Sequence, residues 1–186
     1  MAQVFLLTGL SGAGKTTLAE AVCRDLRKLQ PCVLLDGDEL RKSLCRDLGF
    51  SPQDREENIR RCGEIAKILS RQGITVIMAV IAPYQKIRDN LKEIIGADNL
   101  HVIHVDCPLD ICIERDPKNN YKKALQGQLK NYTGIADAYE APVQPDLRLQ
   151  TSQESQDASA AKLLRFIESK ILAQEKQLES GQGHSL

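Results

Sequence analysis

Gly9-Leu10-Ser11-Gly12-Ala13-Gly14-Lys15-Thr16 follows the spacing G-x-x-x-x-G-K-[ST] at every specified position. Glycines let the backbone curl until successive N–H groups face inward, and a helix starting at the lysine adds its positive end. Such a loop cradles the phosphates of a nucleoside triphosphate. Lys15 is placed to reach the β- and γ-phosphates, and the Thr16 hydroxyl to ligate Mg²⁺. The alternative, a glycine-rich turn with an incidental lysine, has to explain four specified positions at once. The motif alone does not separate kinases from ATPases, GTPases or regulators.

A second chemically suggestive group is Asp36-Gly37-Asp38-Glu39-Leu40-Arg41. A carboxylate beside a triphosphate can hold hydrated Mg²⁺ or take the proton of an attacking hydroxyl. Asp36, at the tip of an apolar run, is the better base. Asp38 has an equally good structural reading as the cap of a helix beginning at Glu39. A basic cluster follows: Arg41, Arg55, Arg60 and Arg61. Arginine forks suit an anionic second substrate, although a charged run at a helix start is more often a solvated face.

These groups need a frame. Five β-rich runs are predicted: Val4–Thr8, Cys32–Asp36, Thr75–Ile81, Val102–Asp106 and Leu147–Leu149. The first four are nearly continuous in apolar residues, as strands covered on both faces are. A helix is expected from Lys15 toward Leu29, with Leu18, Val22, Leu26 and Leu29 on one face. Another starts after a Ser51 cap with Pro52 at its first position, turns Ile59, Cys62, Ile65, Ala66 and Leu69 inward, and stops at Gly73. Alternating strands and helices imply a parallel sheet, a three-layer α/β P-loop fold with helices on both faces. Both Asp36 and the phosphate loop then lie at the carboxyl edge, where such sheets bind ligands. Residues 116–145 break the rhythm with a polar stretch rich in Lys, Asn and Gly, readable as a lid or as a plain surface loop. A C-terminal amphipathic helix is expected over 160–178, with Ser180–Leu186 frayed. Nothing marks a second domain, so 1–186 is read as one.

Bulk properties exclude several classes. With 25 basic and 25 acidic residues, the chain carries no field suited to nucleic acid or a membrane surface, so any anion it binds must be small. Its longest apolar stretch is too short to span a bilayer, and Met1 leads into an apolar run without a basic leader. Six cysteines show neither a C-x-x-C pair nor metal-ligand spacing, so they are expected as packed free thiols in a cytoplasmic protein.

Taken in order, the segments Gly9–Thr17, Leu35–Arg41, Leu48–Ser51, Asp54–Arg61, Pro83-Tyr84 with Arg88-Asp89, and Val105–Leu109 resemble the adenylyl-sulfate kinase family. So do Arg115–Lys118, Tyr121–Ala124, Tyr132–Ile135 and Tyr139–Pro142, so that the likeness runs over residues 4–151. The resemblance implies transfer of phosphate from Mg-ATP to the ribose 3′-hydroxyl of adenosine 5′-phosphosulfate (APS), giving 3′-phosphoadenosine 5′-phosphosulfate (PAPS). By position it implies that Asp36 is the catalytic carboxylate near Mg²⁺, and that Thr17 and Arg115 join the loop in binding ATP. It gives Asp38, Arg41, Arg55 and Asn58 the phosphosulfate and ribose, and Phe50 and Tyr132 the adenine of the acceptor. Ile81, Lys122 and Ile135 line the acceptor pocket on the same reading. Core packing is the alternative for Phe50 and Tyr132. A homodimer is also implied.

Several positions depart from the family pattern. Ala82 stands where serine is usual, so no phosphoserine can form there and transfer must be direct. Gln85 and Leu125 each replace an arginine, Ala136 an aspartate, and Asn119-Asn120 a Gly-Leu pair. These changes keep open a kinase of the same fold with another acceptor, such as a modified nucleotide of surface-polysaccharide synthesis. A nucleotide-sensing module without transferase activity would not need Asp36, Arg41, Arg55 and Asn58 together, and no N-K-x-D segment marks a guanine reader.

Overall fold

A computed structural model describes residues 1–182. Its centre is a sheet of five strands, β1 (Val4–Thr8), β2 (Cys32–Asp36), β3 (Thr75–Ala79), β4 (Leu100–Asp106) and β5 (Leu147–Gln150), ordered β2-β3-β1-β4-β5. Every pairing is parallel. The helices are α1 (Lys15–Leu26), α2 (Gly37–Lys42), α3 (Pro52–Arg71), α4 (Gln85–Ile95), α5 (Leu109–Arg115), α6 (Asn120–Leu125) and α7 (Gln156–Gln182).

The central strand β1 is buried along its whole length, and its side chains divide by the period of two. Phe5 and Leu7 join Leu18, Val22, Leu163 and Ile167 beneath α1 and α7. Val4 and Leu6 join Ile59, Cys62, Ala66, Ile87 and Leu91 beneath α3 and α4. The two apolar cores are what make three layers stable.

Local chemistry sets the element ends. The Ser51 hydroxyl accepts from the Asp54 N–H at 3.1 Å while Pro52 opens α3. The predicted α1 runs three residues too far. It ends at Leu26, Leu29 is 74% exposed, and the chain turns before Pro31, because the residue preceding a proline disfavours the helical region. The run Thr75–Ile81 leaves the sheet after Ala79 and enters a turn in which Ala82 has φ 43°. β2 lies at the sheet edge, and only Cys32 and Leu35 of its residues are buried, fewer than a doubly covered strand would hide.

At the C-terminus, α7 is longer than expected at both ends. Ser180–Gln182, expected to fray, continue the helix, and the rest of that segment lies outside the described residues. All six cysteines are buried free thiols, as their spacing suggested. Among the described residues no helix is long and apolar enough to cross a membrane.

Candidate functional site

Strands β1, β2 and β3 deliver their carboxyl ends to one cavity of about 1130 Å³. The phosphate loop supplies one wall. Gly14 caps α1 with φ 101°, and Gly9 has φ 156° where a Cβ would be driven into the Val105 carbonyl. Both positions therefore need glycine for the chain to pass. Residues Ser11–Thr17 line the cavity. Gly9 and Leu10 do not line it; their carbonyls accept from Lys15 Nζ at 3.0 and 2.8 Å. Lys15 is thus folded back and almost fully buried, and burial pushes its pKa down to about 8.

The Thr16 hydroxyl donates to Asp36 Oδ2 at 2.7 Å. Asp36 Oδ1 accepts from the N–H groups of Asp38 and Glu39 at 2.9 and 3.3 Å. Asp36, not Asp38, is therefore the helix cap, and α2 begins at Gly37 rather than Glu39. The cap fixes the carboxylate's orientation, leaving Oδ2 to face the phosphate loop. Two hard oxygen donors within hydrogen-bond reach, at the end of a phosphate cradle, fit Mg²⁺. That ion keeps most of its waters and takes few protein ligands when phosphates supply the rest. A group of three or more acidic, histidine or cysteine ligands, absent among the described residues, is not required for it.

Asp38 does something else. Its Oδ2 pairs with Lys118 Nζ, reaching across from the 116–145 segment. Burial opposes the charge on Lys118, yet the Asp38 carboxylate outweighs it and holds that lysine above its ordinary pKa. Lys118 was not among the residues singled out from the sequence, although it lies in the Arg115–Lys118 segment; only the fold brings it to the mouth of the cavity.

The second wall is cationic and aromatic. The Arg41 guanidinium sits 4.7 Å from the centre of the Phe50 ring and donates to the Gly49 carbonyl at 2.8 Å. Phe50 is 59% exposed and lines the cavity, so its core-packing alternative falls. Tyr132 does both: it lines the cavity and packs edge-on against Tyr121, centroids 5.1 Å apart. Arg55 is buried and engaged by the 116–145 segment, donating to Thr133 Oγ1 at 2.6 Å and to the Asn131 carbonyl, with Asp137 Oδ2 at 3.7 Å. Burial first and the charge of Arg55 second push the Arg41 pKa down. Two cations repelling each other beside a cavity wall are a setting that an anion relieves. Asn58 Oδ1 and the Tyr132 hydroxyl are buried without a protein partner, and both residues line this cavity. Such orphans point to a ligand.

The remaining expected residues divide. Ile81 lines the cavity, as does Arg115, whose guanidinium donates to the carbonyls of Thr151 and Gly12 at 2.7 and 3.3 Å. Lys122 and Ile135 do not reach the cavity. Lys122 is exposed on α6, where Asp116 accepts its backbone N–H at 3.0 Å, and Ile135 packs partly buried against the core. Arg60 and Arg61 also turn away, into ion pairs with Glu57 and Asp47 on the outer face of α3. For them the solvated-face reading holds, while Arg41 and Arg55 line the cavity.

The 116–145 segment covers the site rather than running over a remote surface. Tyr121 is fully buried and its hydroxyl donates to the Ser11 carbonyl at 3.0 Å. At its far end Asp137 accepts from the Tyr84 hydroxyl at 2.5 Å and the Glu140 N–H donates to the Pro83 carbonyl at 2.8 Å. Its departures have local explanations. Asn119 sits at φ 54°, a left-handed conformation that asparagine tolerates better than other non-glycine residues. Leu125 and Ala136 are exposed and neither lines the cavity.

Comparison with known proteins gives a consistent result. A sequence profile described as adenylylsulphate kinase matches residues 1–150. A probable adenylyl-sulfate kinase of Bacillus subtilis is 44% identical over 170 residues, covering 91% of this chain and 86% of the relative. The adenylyl-sulfate kinase of Pseudomonas aeruginosa is 45% identical over 166 residues, covering 89% and 85%. Among solved structures, the Mycobacterium tuberculosis APS kinase CysC in complex with AMPPNP and APS superposes with a TM-score of 0.85 at 38% identity, covering 90% of this chain and 98% of that one.

Proposed function

The chain belongs to the adenylyl-sulfate kinase family, and on that premise we propose that it transfers the γ-phosphate of ATP to the 3′-hydroxyl of APS, giving PAPS and ADP. The observation that carries this reading is a single cavity with two different walls. A triphosphate cradle with the Thr16–Asp36 pair forms one, and the Arg41–Phe50 stack with Arg55 and Asn58 forms the other. The solved relative that superposes over 90% of this chain holds an ATP analogue and APS, which supports a two-substrate use of the same cavity.

In this reading the N–H groups of Ser11–Thr17 bind the triphosphate, and Lys15 leaves the carbonyls of Gly9 and Leu10 for the β- and γ-oxygens. Thr16 and Asp36 would hold Mg²⁺, which would supply neutralising charge to those phosphates. Asp36 accepts the proton of the 3′-hydroxyl as the oxygen attacks phosphorus, and ADP departs. Arg41, Arg55 and Asn58 hold the acceptor's phosphosulfate and ribose, and Phe50 and Tyr132 offer ring faces to its adenine. Arg115 flanks the ATP end. Asp38 and Lys118, paired across the mouth, close the site against water, which would otherwise consume the γ-phosphate. With Ala82 in the family's serine position, no phosphoenzyme stage is available there and transfer is direct.

A cytoplasmic setting and assembly as a homodimer complete the proposal. Buried free thiols support the first; the family likeness supports the second, although one solved relative is a hexameric APS kinase from Thiobacillus denitrificans. The test is incubation with Mg-ATP and APS followed by chromatography for PAPS and ADP. Consumption of ATP without any PAPS would defeat the assignment of the acceptor.

A further inference from the structure

Arg88, in the first turn of α4, is only 1% exposed and is one of the largest fully buried side chains among the described residues. A buried guanidinium is normally neutralised by a carboxylate. This one is not. Nη1 donates to the Ala82 carbonyl at 2.7 Å and Nη2 to Gln85 Oε1 at 2.8 Å, while Nε has no partner. The carboxylates that favour its charge, Glu140 and Asp89, act from farther off and hydrogen-bond to Gln85 instead: Glu140 accepts from the Gln85 N–H at 2.6 Å and Asp89 from Gln85 Nε2 at 2.9 Å. A positive charge is thus kept inside the protein with only two of its five N–H donors used, immediately behind a residue that lines the cavity.

That residue, Ala82, is itself unusual. It is fully buried and has φ 43°, a left-handed conformation that alanine does not favour by itself. The turn is over-determined from behind: Thr8 Oγ1 donates to the Ile81 carbonyl at 2.5 Å, and Arg88 holds the carbonyl of Ala82. Ile81, Ala82 and Pro83 all line the cavity, on the strand end next to Asp36 in the β2–β3 pairing.

We propose that Arg88 is a positioning residue for the acceptor: it clamps the left-handed turn at Ala82 into the cavity wall and lends that wall a buried positive charge without a directly paired carboxylate, suited to the phosphosulfate. The inference rests on the functional reading above but concerns one wall only. An anion at that wall completes the field that the protein leaves open, so removal of the charge weakens APS while leaving ATP, bound across the cavity, little affected.

Steady-state kinetics of Arg88→Met and Arg88→Lys, varying APS and ATP separately, test this. The expected result for Arg88→Met is a rise of about tenfold or more in the KM for APS, with the KM for ATP within about twofold of wild type. Arg88→Lys, which keeps the charge but cannot span both Ala82 and Gln85 with a planar fork, is expected to fall between the two. A structural role alone would lower the melting temperature and weaken both substrates together. Equal losses for ATP and APS, or an unchanged KM for APS, overturn the proposal. Should Arg88→Met not fold, Arg88→Lys decides by the same criterion, a change confined to APS or its absence. PAPS formation by the wild type tests the functional reading, and the variant-to-wild-type ratio tests Arg88, so the two fail separately.

Discussion

Raising the pH through 8 is expected to weaken ATP binding while stabilising the free protein, two opposite effects from the same group. In the ligand-free site Lys15 is buried against the carbonyls of Gly9 and Leu10, and burial lowers its pKa from 10.5 to about 8. Between about pH 8 and 10.5 the unfolded chain therefore carries a proton at this residue that the native state has lost, so folding stability rises with pH across that window. A triphosphate, however, binds the ammonium form and raises its pKa again. At pH 7 about nine in ten free molecules carry the charged lysine, and at pH 9 about one in eleven, so affinity for Mg-ATP falls by about tenfold, or ~1.4 kcal/mol. Titration calorimetry in two buffers of different ionisation enthalpy reads this directly. Proton uptake per ATP should climb from near zero at pH 7 toward about one at pH 9. Lys15→Met should bind weakly with no such climb. An ATP affinity that stays flat from pH 7 to 9.5, with no proton uptake, would refute the assignment of Lys15 as the buried, phosphate-reaching cation.

Other outcomes follow from the same geometry. Asp36→Asn preserves an acceptor for the Asp38 and Glu39 N–H groups, so its melting temperature should stay near that of wild type while turnover drops by about a hundredfold or more; Asp36→Ala should lose in addition about 1 kcal/mol of cap stability in chemical denaturation. Lys118→Met breaks an ion pair whose side chains are 52% and 61% exposed, which should change unfolding free energy by less than about 1 kcal/mol; a raised ratio of ATP hydrolysis to PAPS formation is the expected signature, and an unchanged ratio counts against closure by this pair. Gly9→Ala forces a Cβ into the Val105 carbonyl, so the sheet must shift, with a destabilisation of about 2 kcal/mol or more by thermal denaturation; normal stability would show that the loop can relax.

Much of this arrangement was written in local sequence. Continuous apolar runs gave four buried or half-buried strands, because a doubly covered parallel strand needs no alternation. Ser51-Pro52 announced the start of α3, since a hydroxyl cap and a residue without an N–H suit the same helix end. The phosphate loop was recognisable because its glycines answer to backbone strain within the loop. Helix and strand ends were less legible: α1 stops before Pro31, β3 gives way to the turn at Ala82, and α7 extends beyond both expected bounds.

Side-chain partnerships depended on the tertiary structure. Whether Asp36 or Asp38 capped α2 turned on which carboxylate the sheet edge pointed at the helix N–H groups. Lys122 and Ile135 carried a resemblance in sequence, but α6 and the core packing of the 116–145 segment turn them from the cavity, while Lys118 enters it from 80 residues away. Arg60 and Arg61 lie within one turn of Asn58 yet face away from it, because a helix advances about 100° per residue and only one stripe of α3 meets the site. Residue type and short-range spacing thus determined the phosphate cradle and the layers. The packing of distant segments decided which charges meet across the cavity, and why the buried Arg88 is held by the Ala82 carbonyl and Gln85 rather than by a directly paired acid.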